Sequence, residues 1–158
     1  MSWTLRRATA EDLDPIMAIE RRMFPADAWS RETMAAEVAG RHGYYLVAEA
    51  EDGGLEGYAG LLAPQGGGQA DIQTIAVVER ARRRGLGRTL MLALLAEARR
   101  RGAAEVFLEV RADNPGAQAL YTALGFAEIA VRPKYYQPDG VDAVIMRLTV
   151  PEPETAPA

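Results

Sequence analysis

With cysteine absent and histidine and serine scarce, the side chains left to move protons are carboxylates and phenols, and among them Glu109 and Tyr121 have the most suggestive settings. The chain contains no cysteine and a single histidine, His42, beside a glycine in a predicted loop. Its only serines are Ser2 and Ser30, and neither sits in a Gly-x-Ser-x-Gly elbow. Thiolate nucleophiles, disulfides, cysteine-rich zinc sites and hydrolase triads are therefore excluded. Glu109 lies within Val106-Phe107-Leu108-Glu109-Val110, a strand expected to be central in its sheet. A carboxylate there is costly unless it is paired, hydrated or used. It reads either as a salt-bridge partner, for example of Arg111, or as a general base for an amine with a pKa of about 8. Tyr121 follows twelve residues later. Its ring fits a helical apolar stripe while its hydroxyl stays polar, so it reads either as a core tyrosine or as a proton donor.

A second group of residues has the types and spacing to hold phosphate. The segment runs Ile75-Ala76-Val77-Val78-Glu79-Arg80-Ala81-Arg82-Arg83-Arg84-Gly85-Leu86-Gly87-Arg88. It reads as an apolar strand, a basic glycine-bearing turn and the start of a helix. Helix N-termini leave amides unpaired and carry partial positive charge, and glycines let phosphate oxygens approach them. A nucleotide P-loop would need Gly-Lys-Ser/Thr, but the only lysine is Lys134. A dinucleotide fingerprint would need a third glycine where Leu90 stands. Arg82, Gly85 and Gly87 instead meet Arg/Gln-x-x-Gly-x-Gly/Ala. In this setting the segment closely resembles the coenzyme A signature of the GNAT acetyltransferase superfamily. A merely solvated arginine run is disfavoured, because arginines at a helix N-terminus call for a balancing anion. RNA binding is disfavoured because no aromatic side chains interleave the arginines.

These groups need elements to position them. Residues 3–8 read as a strand, and Thr9 as the cap of a helix reaching Met23. In that helix Leu13, Ile16, Met17 and Glu20 recur at helical spacing. Ser30 caps a second helix to about Val38. Tyr44–Ala50, Leu55–Ala63 and Ala70–Val78 read as strands, joined by the turns Glu51–Gly54 and Pro64–Gly68. Leu86, Leu90, Leu94 and Ala98 form one helical row, stopped by Gly102. Val106–Val110 is the next strand, and Asn114-Pro115 opens a short helix through Leu124. Phe126–Val131 and Val141–Leu148 complete seven strands and four helices. The fold class is mixed α/β (α+β), with antiparallel hairpins first and one β-α-β crossover in the middle.

The bulk properties agree. The 158 residues suit one domain, taken as 1–150, followed by a disordered Pro/Glu/Ala tail at 151–158. The net charge of −4, with five arginines clustered between positions 80 and 88, favours a small anionic ligand over nucleic acid. The sequence predicts neither a signal peptide nor a membrane span, and a reducing cytoplasm fits the lack of cysteine.

One resemblance covers nearly the whole chain. Leu108-Glu109-Val110-Arg111-Ala112-x-Asn114, with Ala119-Leu120-Tyr121-x-x-Leu124-Gly125-Phe126, resembles the ribosomal-protein alanine N-acetyltransferase (RimI-type) group of the GNAT superfamily. Lys134-Tyr135-Tyr136-x-Pro138 and Asp142-Ala143-x-Ile145-Met146 match that group's C-terminal pattern, and Phe24-Pro25 with Trp29-Ser30 its front loop. The resemblance implies a GNAT fold, a seven-stranded mostly antiparallel sheet with four flanking helices, splayed at the cofactor cleft. It implies acetyl-CoA as cosubstrate, no metal, and Glu109 and Tyr121 as proton acceptor and donor. Ile75, Ala76 and Val77 would hold the pantetheine and acetyl group, Arg82, Arg83, Arg84, Gly85, Leu86, Gly87 and Arg88 the pyrophosphate, and Asn114 and Tyr121 further parts of the cofactor. The implied acceptor is a protein N-terminal amine, the alanine of small-subunit ribosomal protein eighteen. Trp29, Gln73 and Tyr136 would contact it, with Asp139 and Asp142 drawing a basic peptide. A monomer or weak dimer is expected. The rival readings are a GNAT acting on a small amine, such as a polyamine or antibiotic, and a non-catalytic coenzyme A-binding module.

Overall fold

The computed structural model describes residues 2–150; the tail expected to be disordered lies outside the described residues. In chain order the elements are β1 (Thr4–Arg7), α1 (Leu13–Met23), α2 (Arg31–Ala39), β2 (Gly43–Glu49), β3 (Leu55–Leu62) and β4 (Gln69–Val77). There follow α3 (Leu86–Arg100), β5 (Glu105–Arg111), α4 (Pro115–Ala123), β6 (Ala127–Tyr136) and β7 (Val141–Thr149). Short 3-10 turns at Ala10–Asp12 and Glu79–Ala81 precede α1 and α3. The seven strands form one sheet in the order β1-β2-β3-β4-β5-β7-β6. Among the described residues only β4 and β5 run parallel.

The helices lie where the apolar rows demand. Leu86, Leu90, Met91, Leu94 and Ala98 of α3 are buried, and the helix packs on β3 and β4. Helix α1 buries Leu13, Ile16, Met17 and Ile19 against the same two strands. Ser30 caps α2 by accepting from Thr33 N–H at 3.1 Å, as expected. Thr9, by contrast, does not open one continuous helix. Its N–H donates to the Asp12 carboxylate at 2.8 Å, which tightens residues 10–12 into a 3-10 turn before the α-helix begins at Leu13.

Two irregularities shape the functional end of the sheet. The parallel β4–β5 ladder has only three register pairs, Gln69↔Glu105, Ala70↔Val106 and Asp71↔Phe107. Beyond Asp71, β5 stays paired with β7 along its whole length. Strand β4 turns away, because Gly60 pairs with Thr74 and Leu61 with Ile72, leaving Gln73 as a bulged residue. Gly60 makes room for this: a β-carbon there would stand 2.2 Å from the Tyr45 ring, whose hydroxyl donates to Gln73 Oε1 at 2.8 Å. The result is a V between Ile72–Val77 and Leu108–Arg111.

Strand β6 also differs from expectation. It runs to Tyr136 rather than ending near Val131. Pro133 has no N–H to give, so the ladder with β7 skips from Arg132 to Tyr136. Lys134 adopts a φ of 53°, and its N–H donates to the Asp142 carboxylate at 2.9 Å. The glycine-rich turn at 66–68 is tied to the end of α3 and the start of β5: Gly66 N–H donates to Arg101 C=O, and Ala104 N–H to Gly68 C=O.

Candidate active site

The V opens into a cavity of about 670 Å³. Its lining brings together Glu109, Tyr121, Asn114, Ile75, Gln73, Trp29 and Tyr136 from the residues singled out in the sequence. Ala76, Val77 and residues 82–88 lie outside that lining, along the continuation of β4 into α3.

The edge of β4 facing the V is usable backbone. Val78 N–H donates to Glu56 C=O on the β3 side at 2.9 Å. Backbone polar groups of successive strand residues point to opposite edges, so those of Val77 face the unpaired edge. Arg82 folds back there, its Nε 3.3 Å from Val77 C=O and its Nη2 3.6 Å from Met23 Sδ. Arg83 and Gly85 then adopt φ values of 62° and 86°. This left-handed turn swings the chain into α3, and at Gly85 it favours glycine for its backbone angle, since a β-carbon there would meet nothing within 4 Å. The first helical bond is Thr89 N–H to Gly85 C=O at 3.0 Å, which leaves the amides of Leu86, Gly87 and Arg88 without intrahelical partners. A β-carbon on Gly87 would lie 3.4 Å from Leu120 and 4.0 Å from Val77, so the turn abuts both β4 and α4. This is a geometry for a diphosphate at a helix N-terminus.

Glu109 is not the buried carboxylate expected of a central strand. Its side chain is 33% exposed, because the V removes the neighbouring strand on one side. Nor is Arg111 its partner: Arg132 Nη1 lies 3.6 Å from Glu109 Oε1. The proximity of Glu109, with burial, raises the pKa of Tyr135. Tyr121 is 6% exposed on α4, its ring edge-on to Phe126 at 6.1 Å between centroids. Burial pushes its hydroxyl up to about 12, so it carries its proton throughout the physiological range. Asn114 caps α4 by accepting from Ala117 N–H at 3.1 Å, and Pro115 fills the first turn.

The mouth is built differently from expectation. Arg111 joins Asp27 of the α1–α2 loop, at 3.4 Å, to Asp139 of the β6–β7 loop, and also pairs with Asp113 at 3.0 Å. Its guanidinium stacks over the Tyr136 ring at 5.1 Å. Burial, then the charges of Glu109 and Asp27, push Tyr136 up to about 12. Asp139 and Asp142, expected to draw a basic peptide, are thus engaged within the protein by Arg111 and by Lys134 N–H.

Sequence reasoning missed Glu20, Asp27, Asp71, Arg132 and Tyr135, all of which line the cavity. Burial raises the pKa of Asp71; Gln69 opposes that by hydrogen bonding, and the Glu109 charge adds to it. One signal was present for Glu20, an acid standing in the apolar row of α1. Among the described residues no group of three or more His, Asp or Glu side chains could hold a metal ion. No helix among them is long and apolar enough to cross a membrane.

A splayed β4–β5 pair, a bulged β4 and an amide-lined turn into α3 define an acyl-coenzyme A transferase. The chain belongs to the acetyltransferase (GNAT) family, whose model matches residues 13–126, and it is an acetyl-CoA-dependent N-acetyltransferase. It is 35% identical over 147 residues to the N-alpha-acetyltransferase RimI of Mycobacterium tuberculosis, covering 91% of this chain and 90% of that one. The crystal structure of the ribosomal-protein-S18-alanine N-acetyltransferase from Escherichia coli superposes with a TM-score of 0.85 at 34% identity, covering 97% of each chain. The chain is also 38% identical over 142 residues to an uncharacterized Mycobacterium leprae protein, of which it spans only 38%. The seven strands, four helices and their mostly antiparallel order agree with the fold implied by the sequence resemblance.

Proposed function

We propose that this enzyme transfers acetyl from acetyl-CoA to the N-terminal α-amine of a protein, the alanine terminus of the small-subunit ribosomal protein bS18. The observation that carries the proposal is the single cavity lined by both Glu109 and Tyr121 beside the open edge of β4. The likeness to relatives named for N-terminal and bS18-alanine acetylation supports this acceptor over a small amine.

In this reading the pyrophosphate rests on the amides of residues 85–88, with Arg83, Arg84 and Arg88 adding charge. The pantetheine follows Ile75–Val77 in the V. The acceptor enters between Trp29 and Tyr136, with Gln73 fixed by Tyr45 beside it. Glu109, directly or through water, takes a proton from the ammonium. The freed amine attacks the thioester carbonyl, and the Val77 N–H stabilises the oxyanion. The nitrogen–carbon bond forms, the carbon–sulfur bond breaks, and Tyr121 donates to the departing sulfur; the attacking nitrogen's second proton restores the Tyr121 phenol, and the proton held by Glu109 leaves to solvent. No step calls for a metal.

Thiol release from acetyl-CoA across a panel of N-terminal peptides and small amines tests the acceptor. An alanine-terminated bS18 peptide should be turned over with the highest kcat/KM. Turnover of small amines with none of the peptides would refute the acceptor, and binding of acetyl-CoA without thiol release to any amine would refute the enzyme reading of the site.

A further inference from the structure

Glu20 is a buried acid with no role in the steps above. It is 2% exposed, yet its side chain reaches the cavity wall. Burying a carboxylate is unfavourable unless its oxygens are satisfied, and those of Glu20 are satisfied from two directions. Oε2 accepts from the backbone N–H of Trp29 at 2.9 Å, and Oε1 accepts from the Tyr58 hydroxyl. Tyr58 is fully buried on β3. It stands opposite Ala76 in the β3–β4 ladder, two residues beyond Thr74. Burial and the Glu20 charge raise the Tyr58 pKa, so its hydroxyl remains a donor. Two donors thus meet on one carboxylate: Tyr58 OH from β3, the strand paired with β4, and Trp29 N–H from the α1–α2 loop.

The carboxylate joins two walls of one cavity, the second by way of β3. Trp29 belongs to the loop between α1 and α2, and Thr74 belongs to the strand that would carry the acetyl group; both line the cavity. That loop is irregular backbone between Met23 and Arg31, and its other polar anchor is the 3.4 Å pair between Asp27 and Arg111. A longer pair of this kind, with both partners about one-fifth exposed, is the weaker restraint. The charge-assisted bond to a buried carboxylate is the stronger one.

We infer that Glu20 is a positioning residue for the acceptor: through Trp29 N–H and Tyr58 it sets the α1–α2 loop at a fixed distance from β4, and so fixes the wall against which the acceptor peptide binds. The inference rests on the peptide-acceptor reading. The residue touches neither reacting atom in that reading; it acts through Trp29 and Tyr58. Its removal should therefore weaken peptide binding selectively, leaving the coenzyme A side, built from β4 and α3, in place.

Three variants and two readouts test this. Glu20→Leu keeps bulk but accepts no hydrogen bond. Glu20→Gln keeps an acceptor for Trp29 N–H, and its amide can donate to Tyr58. Tyr58→Phe leaves the acid and cuts the arm to β3, the strand paired with β4. Glu20→Leu should raise the peptide KM by about tenfold or more, with the acetyl-CoA KM changed less than about threefold. Glu20→Gln should recover most of that loss, and Tyr58→Phe should shift the peptide KM in the same direction by a smaller factor. Amide hydrogen exchange at Trp29 should speed up by at least about tenfold in Glu20→Leu while core amides of β3 keep their protection. An unchanged peptide KM and unchanged Trp29 exchange would overturn the inference. So would a parallel loss in both KM values and kcat. If Glu20→Leu does not fold, Tyr58→Phe carries the same two readouts. The exchange measurement needs no acceptor, so it stands if the wild-type enzyme turns over no peptide; that outcome would remove the acceptor reading and leave the loop anchor to be judged on exchange alone.

Discussion

Replacing Tyr121 by phenylalanine removes one oxygen and almost nothing else. The ring sits 6% exposed with its edge against Phe126, and that packing survives the change. Folding stability should therefore stay within about 1 kcal/mol of wild type. The kinetic effect follows from the acidity of the hydroxyl. An alkyl thiol titrates near about 8.5, whereas burial holds Tyr121 up to about 12. Complete proton transfer to a free thiolate would then be uphill by roughly 3.5 pK units, or about 5 kcal/mol. Tyr121 is thus better suited to donate a strong hydrogen bond to sulfur as its charge develops than to ionise fully. A hydrogen bond to a charged partner is worth about 1.5–3 kcal/mol, which corresponds to roughly 10- to 150-fold in rate. The expected result is a kcat lowered within that range at saturating acetyl-CoA, with the peptide KM little changed. The assay is thiol release, followed from about pH 6 to 10. Because Tyr121 keeps its proton to about 12, no fall in wild-type kcat below about pH 10 should be traceable to it. A kcat within threefold of wild type, in protein that melts normally, would show that sulfur is served by another donor. An alkaline loss of activity near pH 9 that disappears in the phenylalanine variant would refute the placement of its pKa.

Other perturbations separate the parts of the site. Glu109→Gln should lower kcat by about 10²-fold or more in the same thiol-release assay, with acetyl-CoA binding preserved by calorimetry. Arg111→Met removes the link between Asp27 and Asp139 and the stacking on Tyr136; the peptide KM should rise by about tenfold, since both loops at the mouth lose their common anchor. Gly60→Ala would put a β-carbon 2.2 Å from the Tyr45 ring, so it should destabilise the fold by about 1–3 kcal/mol in thermal melts and release Gln73 from Tyr45. Asp71 has a raised pKa, caused first by burial, so the native state binds its proton more tightly than the unfolded chain. Its contribution to stability is present at acid pH and is lost as pH rises from the usual carboxylate range through the folded value. Asp71→Asn should flatten that fall in a series of melts across pH 3 to 7.

Local chemistry decided which parts of this architecture could be read in the sequence. The row Leu86, Leu90, Leu94 and Ala98 and the cap at Ser30 are written in short-range spacing, and they stand where that spacing puts them. Asn114 and Pro115 opened α4 for the same reason. The 3-10 turn at 10–12 was hidden because a serine, threonine or aspartate near a helix start can cap in more than one way, and Asp12 turned back to Thr9 N–H. The far end of β6 was hidden because Pro133 speaks against a ladder, and the strand resumes only after skipping it.

The site divides along the same line. Four residues singled out from short motifs, Glu109, Tyr121, Asn114 and Ile75, share one cavity. What holds them was not legible, since it depends on distances across the sheet. The open V requires that Gln73 be bulged, which requires Tyr45 to reach it, which requires a glycine at position 60 of the neighbouring strand. Glu109 therefore escapes the burial that its central strand would impose: the ladder that would cover it stops at Asp71↔Phe107. A carboxylate that looked expensive in one dimension is one-third exposed in three. The same logic reverses for Glu20. It stands in the apolar row of α1 and is buried with that row, its carboxylate receiving two donors from different elements.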